Sequence, residues 1–469
     1  MSLPNTAPPT PSPTTDIPSE SPALARRMGL FLLVVYGVGD MVGSGIYGTI
    51  GEAAARMGNA VWLAFVASMV AAMFTGLSYA SLASRYPRAA GAAFITQRAY
   101  RWAFLSYVVG LTVTASGLTS MATNSNVFSR TLAAFLEPVS LPLFGHIAPW
   151  FILLLFVGLM TLINIRGIRE SMWTNVLCTT IEVGGLIFVI AVGMSAWGSV
   201  DYMQTPVPAG EPGGGLDLWL ISSGAVLTFF AFVGFEDMLN VAEEVKQPER
   251  TMPWGMVIAL GITAILYLAT SITAVSVVDY RALGNPELGA PLTQVTDQAA
   301  PWLPGWVFDA ITMFAAANSV LINYVMGSRM LYGMSRQGLL PSVLGKVHCT
   351  RRTPHIAILV LMVIVLILAL AGEIGQLAAA TSLLLLLVFC LINGALVVLK
   401  YRAGEDKGAF EVPVFVPILG VLCCGVLIVS RLSRVVAEPE KLWMAPVIAG
   451  GLVLFISALY FVFRPRSTA

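Results

Sequence analysis

The chain has 469 residues, of which 57% are hydrophobic and only 11% charged, whereas a water-soluble domain carries about a quarter charged residues. A mean hydropathy of +0.82 implies more apolar surface than one soluble core hides, so the lipid bilayer is the expected partner. With 26 Lys and Arg against 25 Asp and Glu, a net charge of +1 leaves no electrostatic footprint for nucleic acid.

Residues 1–22 are rich in Pro, Ser and Thr and lack the apolar core of a signal peptide, so residues 1–28 read as a disordered cytoplasmic tail. A bilayer core takes about 20 apolar residues in a helix, because unpaired backbone groups are costly in hydrocarbon. On that basis twelve spans are expected, near 29–55, 60–83, 102–135, 148–165, 172–197, 217–245, 254–278, 306–334, 354–372, 375–400, 413–434 and 442–463. Residues 464–469 are the C-terminal remainder. Lys and Arg concentrate on the cytoplasmic side of a membrane. With the N-terminus inside, this count puts twenty of the 26 Lys and Arg on that side. The expectation is therefore an all-helical, multi-pass plasma-membrane protein with both termini cytoplasmic. The five cysteines lie on or between apolar runs without CxxC spacing, which suggests buried thiols rather than a disulfide framework or zinc.

Two spans carry interruptions. The first contains Gly37-Val38-Gly39-Asp40-Met41-Val42-Gly43-Ser44-Gly45, and the sixth contains Phe230-Ala231-Phe232-Val233-Gly234-Phe235-Glu236. Glycine lowers helix propensity by about 1 kcal/mol relative to alanine, so a Gly-Ser-Gly core invites local unwinding. Gly39 and Gly43 also have the GxxxG spacing that lets helices pack closely. Span one opens the first half and span six the second, however, and interrupted spans at corresponding positions of two halves point to a transporter binding site.

Four stretches resemble the amino acid/polyamine/organocation superfamily, within its amino acid permeases. Gly43-Ser44-Gly45-Ile46-Tyr47 is similar to the first-span signature. Phe232-Val233-Gly234-Phe235-Glu236 and the following Ala242 to Pro253 are similar to the sixth span and its exit loop. The block from Ser328 to Pro341 and the short Phe410-Glu411-Val412-Pro413 loop complete the match. The resemblance runs from about residue 29 to 463. It implies the leucine-transporter type of fold, with spans one to five (29–200) and six to ten (217–400) as inverted repeats and two further helices at 413–463. It also implies alternating access around a central site.

Where span one unwinds, the N–H groups of Gly43, Ser44, Gly45 and Ile46 begin a new half-helix, whose positive end favours an amino acid carboxylate. Carbonyls released at the breaks, at Gly39, Ala231, Phe232 and Gly234, face a substrate ammonium. Phe230 and Phe232 are candidates for capping the substrate with an aromatic face, or for helix packing; the resemblance favours Phe230 as a gate. Ser116 and Ser120 share one helical face, and Asn318 and Asn323 sit mid-span, as side-chain contacts or as glue between helices.

Three carboxylates fall inside expected spans: Asp40, Glu182 and Glu236. A charge at the bilayer centre costs at least about 2.5 kcal/mol, so each is a candidate for proton coupling or for a structural bond to a freed backbone group. The resemblance places Glu182 where proton-coupled relatives often carry a lysine, and Asp40 is expected to approach it. Glu243, Glu244, Lys246 and Arg250 read as a solvated loop or inner-gate salt bridges, and Arg329 as a snorkelling anchor.

The expected function is thus secondary transport of amino acids or related amines, by proton symport or by exchange, with no cofactor and no metal. A non-transporting sensor is disfavoured by short loops, a channel by the lack of a filter-like run, and an enzyme by the lack of a catalytic pair.

Overall fold

The computed structural model describes residues 24–136, 149–207, 215–285, 288–371, 375–437 and 444–463. The expected tail up to residue 23 and the C-terminal 464–469 lie outside them. So do the side chains of residues 44, 376–378, 434–437 and 463.

The described residues form fifteen α-helices. In chain order these are α1 (Leu30–Met57), α2 (Val61–Arg85), α3 (Gly91–Tyr100), α4 (Ala103–Leu136), α5 (Pro149–Arg166), α6 (Ile168–Gly193), α7 (Leu218–Phe232) and α8 (Pro248–Val277). There follow α9 (Tyr280–Leu283), α10 (Pro291–Ala299), α11 (Trp306–Arg336), α12 (His355–Leu370), α13 (Gly375–Tyr401), α14 (Phe415–Ala437) and α15 (Met444–Phe463). Among the described residues, eleven helical segments are long and apolar enough to cross a membrane, and the apolar α12 is shorter. These correspond to the twelve expected spans. The protein is an all-helical, multi-pass membrane protein.

Three short helices were not expected. The run from Gly91 to Tyr100 carries Gln97 and Arg98 and is too polar and short to span, yet it forms α3, packed on α4. Helices α9 and α10 follow α8, and Leu283 and Pro291 border Gly51 of α1. The cysteines depart in part from the expectation: Cys178 and Cys424 are buried, Cys390 and Cys423 are half-buried, and Cys349, in a loop between α11 and α12, is exposed.

Helix α1 and the span made of α7 and its continuation form the centre. Helices α6, α8 and α11 all pack on α1, and α4 lies along α11. One apolar core runs through most of this assembly, and a second joins α4, α5, α11 and α12. Helices α13, α14 and α15 close the other side against α2 and α4.

Candidate functional site

Both central spans break. In α1 the backbone leaves helical geometry at Gly43, with φ −15° and ψ −150°. The sixth span stops at Phe232. Val233 is extended, Gly234 takes φ +131°, and the chain resumes as a 3-10 helix, Phe235–Glu244. Glycine is required at Gly234 because side chains with a Cβ rarely adopt that φ. The two breaks touch: a Cβ on Gly45 would lie 3.2 Å from the Cα of Ala231, and one on Gly234 would lie 3.1 Å from the Cγ of Asp40.

Between the breaks and α4, α11 and α13 lies a partly open cavity with about 900 Å³ of space not filled by protein, including space open to solvent. Asp40, Gly45, Ser116, Ser120, Phe230, Gly234 and Glu236 line it, as does Asn323. Phe230 also borders a second recess, together with Thr49, Glu52 and Arg431. Its ring thus stands between the cavity and the side away from the N-terminus.

Other expected site residues lie elsewhere. Phe232 is 1% exposed and packs edge-on against Tyr267, with ring centres 5.0 Å apart, so it belongs to the core and not to the pocket wall. Asn318 is also buried away from the cavity. It donates to Thr179 Oγ1 (3.0 Å) and accepts from Asn175 Nδ2 (2.9 Å). This cluster sits against Gly39, where any side chain would strike Thr179 and Asn318. Gly43 packs on Ser319, and the Ile46 side chain is fully buried. The Ala231 carbonyl accepts from Tyr267 (2.9 Å) and the Gly234 carbonyl from the Asp237 N–H (3.1 Å), so both are engaged and not released.

The acids separate into two groups. Glu182 lies on α6, 0% exposed, and does not line the cavity. Its backbone carbonyl accepts from Tyr47 (3.1 Å), and Asn318 stands beside its carboxyl, but neither carboxyl oxygen has a partner in hydrogen-bond geometry. Asp40 approaches Glu182 closely enough for the two acids to interact electrostatically, as expected, but makes no hydrogen bond to it. Its carboxyl comes within hydrogen-bonding reach of Asp237, in the continuation of α7. Glu236 Oε2 accepts from the Gly234 N–H (2.9 Å), a bond to a freed backbone group.

Sequence reasoning passed over three features. Asp237, adjacent to Glu236 and 6% exposed, is a further buried acid of the sixth span that lines the cavity. The Tyr267 hydroxyl reaches the carbonyls of Met41 (2.5 Å) and Ala231 (2.9 Å) and so ties the two breaks together. A lone tyrosine amid the apolar residues of α8 was the only signal for it.

The third feature closes the N-terminal side. Arg329 does not snorkel. It is 1% exposed, because its guanidinium makes two parallel bonds to the equally buried Glu244, both 3.0 Å. The Glu244 carbonyl accepts from the N–H groups of Arg27 and Met28, and Lys246 N–H donates to the Met28 carbonyl. Glu244 is therefore part of a closed seam, in line with the salt-bridge alternative for this stretch, and not of a solvated loop.

Comparison with known proteins agrees with this geometry. A family model described as "Amino acid permease" matches residues 28–463. The chain is 27% identical over 423 residues to the branched-chain amino acid permease BcaP of Bacillus subtilis, covering 87% of this chain and 88% of that one. It is 26% identical to the methylthioribose transporter of the same organism, covering 95% and 96%. It is 29% identical to the vacuolar cationic amino acid transporter 4 of Arabidopsis thaliana, with 81% of this chain matched but only 64% of that longer one. Among solved structures, a manganese transporter of Eremococcus coleocola superposes over 92% of this chain and 94% of that one, with a TM-score of 0.59 and 17% identity, which shows a shared fold. Two glycine-broken central helices, a cavity between them and a family match over nearly the whole chain lead to one conclusion: the protein belongs to the amino acid permease family and is a membrane transporter, not an enzyme.

Proposed function

We propose that the protein carries amino acids or related amines across the plasma membrane by alternating access, coupled to protons, with both termini in the cytoplasm. The observation that carries this reading is the asymmetry about the breaks. On the N-terminal side the Arg329–Glu244 pair and the Met28–Val245 seam close the path. On the other side the cavity meets an outer recess at Phe230. A substrate entering past Phe230 meets the half-helix that begins beyond Gly43, whose N–H groups favour a carboxylate. Opening the seam then releases it on the far side.

Glu182 supports the coupling. It is a buried carboxyl with no cation beside it, on a helix packed against α1 and outside the cavity lining, so gaining or losing a proton there acts on the broken helix without touching substrate. The relatives' names, which cover branched-chain and cationic amino acids, support an amino acid as the cargo class.

The test is uptake of a radiolabelled amino acid mixture into proteoliposomes under an imposed pH gradient, with internal pH recorded. Substrate-driven acidification is expected for the natural protein and its loss for Glu182→Gln. Unchanged acidification in that variant removes Glu182 from the mechanism. Uptake that requires internal substrate and ignores the pH gradient replaces symport with exchange.

A further inference from the structure

At the end of the bundle that holds the Arg329–Glu244 seam, the turn joining α5 to α6 meets the loop joining α11 to α12. Thr353 Oγ1 donates to the Ile165 carbonyl (3.1 Å), and the Thr353 carbonyl accepts from the N–H groups of His348 and His355 (both 2.9 Å), which sets the loop on the turn. Four arginines thereby share one corner: Arg166 and Arg169 from the turn, Arg351 and Arg352 from the loop. All four are exposed, and among the described residues none of their guanidinium groups makes an ion pair. Within 161–172 and 337–355 the one acid is Glu170. Its carboxylate folds back over Gly167, 2.7 Å from where a Cβ there would lie. Cations of α2, α3 and α13 are matched instead: Glu411 takes Arg85 and Lys400, and Glu405 takes Arg98 and Arg402.

An outward-facing apolar strip runs from this corner. On α5, Leu162 stands four residues before Arg166, and on α6 Trp173 and Leu177 follow Arg169 at four-residue steps, so each shares a helical face with its arginine. All three are exposed, Trp173 to 60%, as are Leu359 and Val363 in the first turns of α12. Helices α6 and α12 both pack on α5, so the strip is continuous. Exposed apolar side chains of a spanning helix meet acyl chains, and a tryptophan near the end of a span marks the headgroup level. The arginines therefore stand where lipid phosphates lie, and a guanidinium binds phosphate through two parallel hydrogen bonds. A zwitterionic headgroup would also need an acid for its ammonium, and Glu170 is turned away on Gly167. We propose that α5, α6 and α12 form a docking surface for an anionic phospholipid, whose phosphate is held by Arg166, Arg169, Arg351 and Arg352 and whose acyl chains lie along Leu162, Trp173 and Val363. Basic clusters at the cytoplasmic ends of spans recognise such headgroups. The inference is independent of the transport reading, since it uses neither the cavity nor the helix breaks.

Purified full-length protein in detergent is tested by thermal shift and by native mass spectrometry of retained lipid, with added phosphatidylglycerol, cardiolipin, phosphatidylcholine or inorganic phosphate. The two anionic lipids are expected to raise the melting temperature and to stay bound, and phosphatidylcholine and phosphate to do neither at the same concentration. The shift is expected to shrink as salt is raised. Arg166→Gln with Arg169→Gln, and Arg351→Gln with Arg352→Gln, are each expected to weaken anionic lipid by about tenfold or more, the effect of two cations beside an anionic surface. If either pair fails to fold, the single Arg→Gln variants replace it, each expected to lose about fivefold. Arg101→Gln with Lys407→Gln removes equal exposed charge outside the corner and is expected to leave lipid binding unchanged. An equal loss in that control overturns a local site in favour of diffuse positive charge. Undiminished affinity in the folded glutamine variants, or phosphatidylcholine retained as well as the anionic lipids, also overturns the proposal. Inorganic phosphate that stabilises the protein as well as the lipids do assigns the corner to a soluble anion and overturns it too.

Discussion

At the residue scale, Gly234 concentrates the constraints on the site. Its φ of +131° lies where side chains are rarely found, and an added Cβ would come within 3.1 Å of both the backbone carbon and the Cγ of Asp40. Neither obstacle is the far end of a flexible chain, so the strain has no cheap outlet. Gly234→Ala is expected to destabilise the protein by about 1–3 kcal/mol, the usual cost of a sparsely populated backbone state, and to abolish uptake by pushing the breaks apart. Gly184→Ala is the control: it lies inside α6, where a new Cβ meets nothing, and alanine favours a helix interior by roughly 0.5–1 kcal/mol. Melting of the two variants in detergent decides the matter, and equal behaviour would remove the special role of Gly234. Both breaks were legible in the sequence because glycine and polar residues interrupt otherwise apolar runs. What faces the cavity was not. In α6 polar residues lie on more than one face, Asn175, Thr179 and Glu182 buried but Thr180 exposed, so the pattern alone does not single out the side on which Glu182 points. Asp237 lay hidden beside Glu236 because adjacent residues on a regular helix point about 100° apart, yet at the break both line the cavity.

At the element scale, the closed seam depends on one buried pair that joins α11 to the end of the sixth span. Sequence reasoning placed Arg329 among the solvent-facing cations, since an arginine near a span's end commonly snorkels; only the fold shows that Glu244 lies opposite. Removing one member of such a pair leaves an unmatched buried charge and costs about 3–5 kcal/mol, while replacing both by apolar groups is often neutral. Glu244→Ala is therefore expected to lower the melting temperature sharply and to leave the N-terminal side open, and Arg329→Met added to it is expected to restore much of the loss. A double variant no more stable than the single one would show that the pair does not hold the seam. The Met28–Val245 bridge follows the same logic with backbone groups. Its hydrogen bonds are independent of side-chain type, which is why no residue in the 24–28 stretch announced it.

At the scale of the whole molecule, the alternation of apolar runs and cationic loops was enough to set the number and order of spans, because the bilayer imposes one length on all of them. It was not enough to show how the last helices attach to the rest, since that depends on contacts between loops distant in sequence. One such contact is a three-part ion pair. Glu411, just before α14, accepts from Arg85 at the end of α2 (2.6 and 2.7 Å), from Lys400 of α13 (2.7 Å) and from the Gly408 N–H (2.9 Å). Partial burial pushes its carboxyl up, but the hydrogen bonds from Arg85, Lys400 and Gly408 outweigh this and hold it down at about 2. An unpaired glutamate titrates near about 4.3. Because the folded value is the lower one, the stabilisation is fully present above the unfolded value and is lost as pH falls through the folded one. The melting temperature of the natural protein in detergent should exceed that of Glu411→Gln by a constant margin from pH 7 to about 5.5. That margin should shrink as pH falls from about 4.5 toward 2, as protonation removes the charge that the variant already lacks. A margin that stays level across the acid range would mean that the cluster does not fasten α13 and α14 to α2, and that their attachment comes from apolar packing alone.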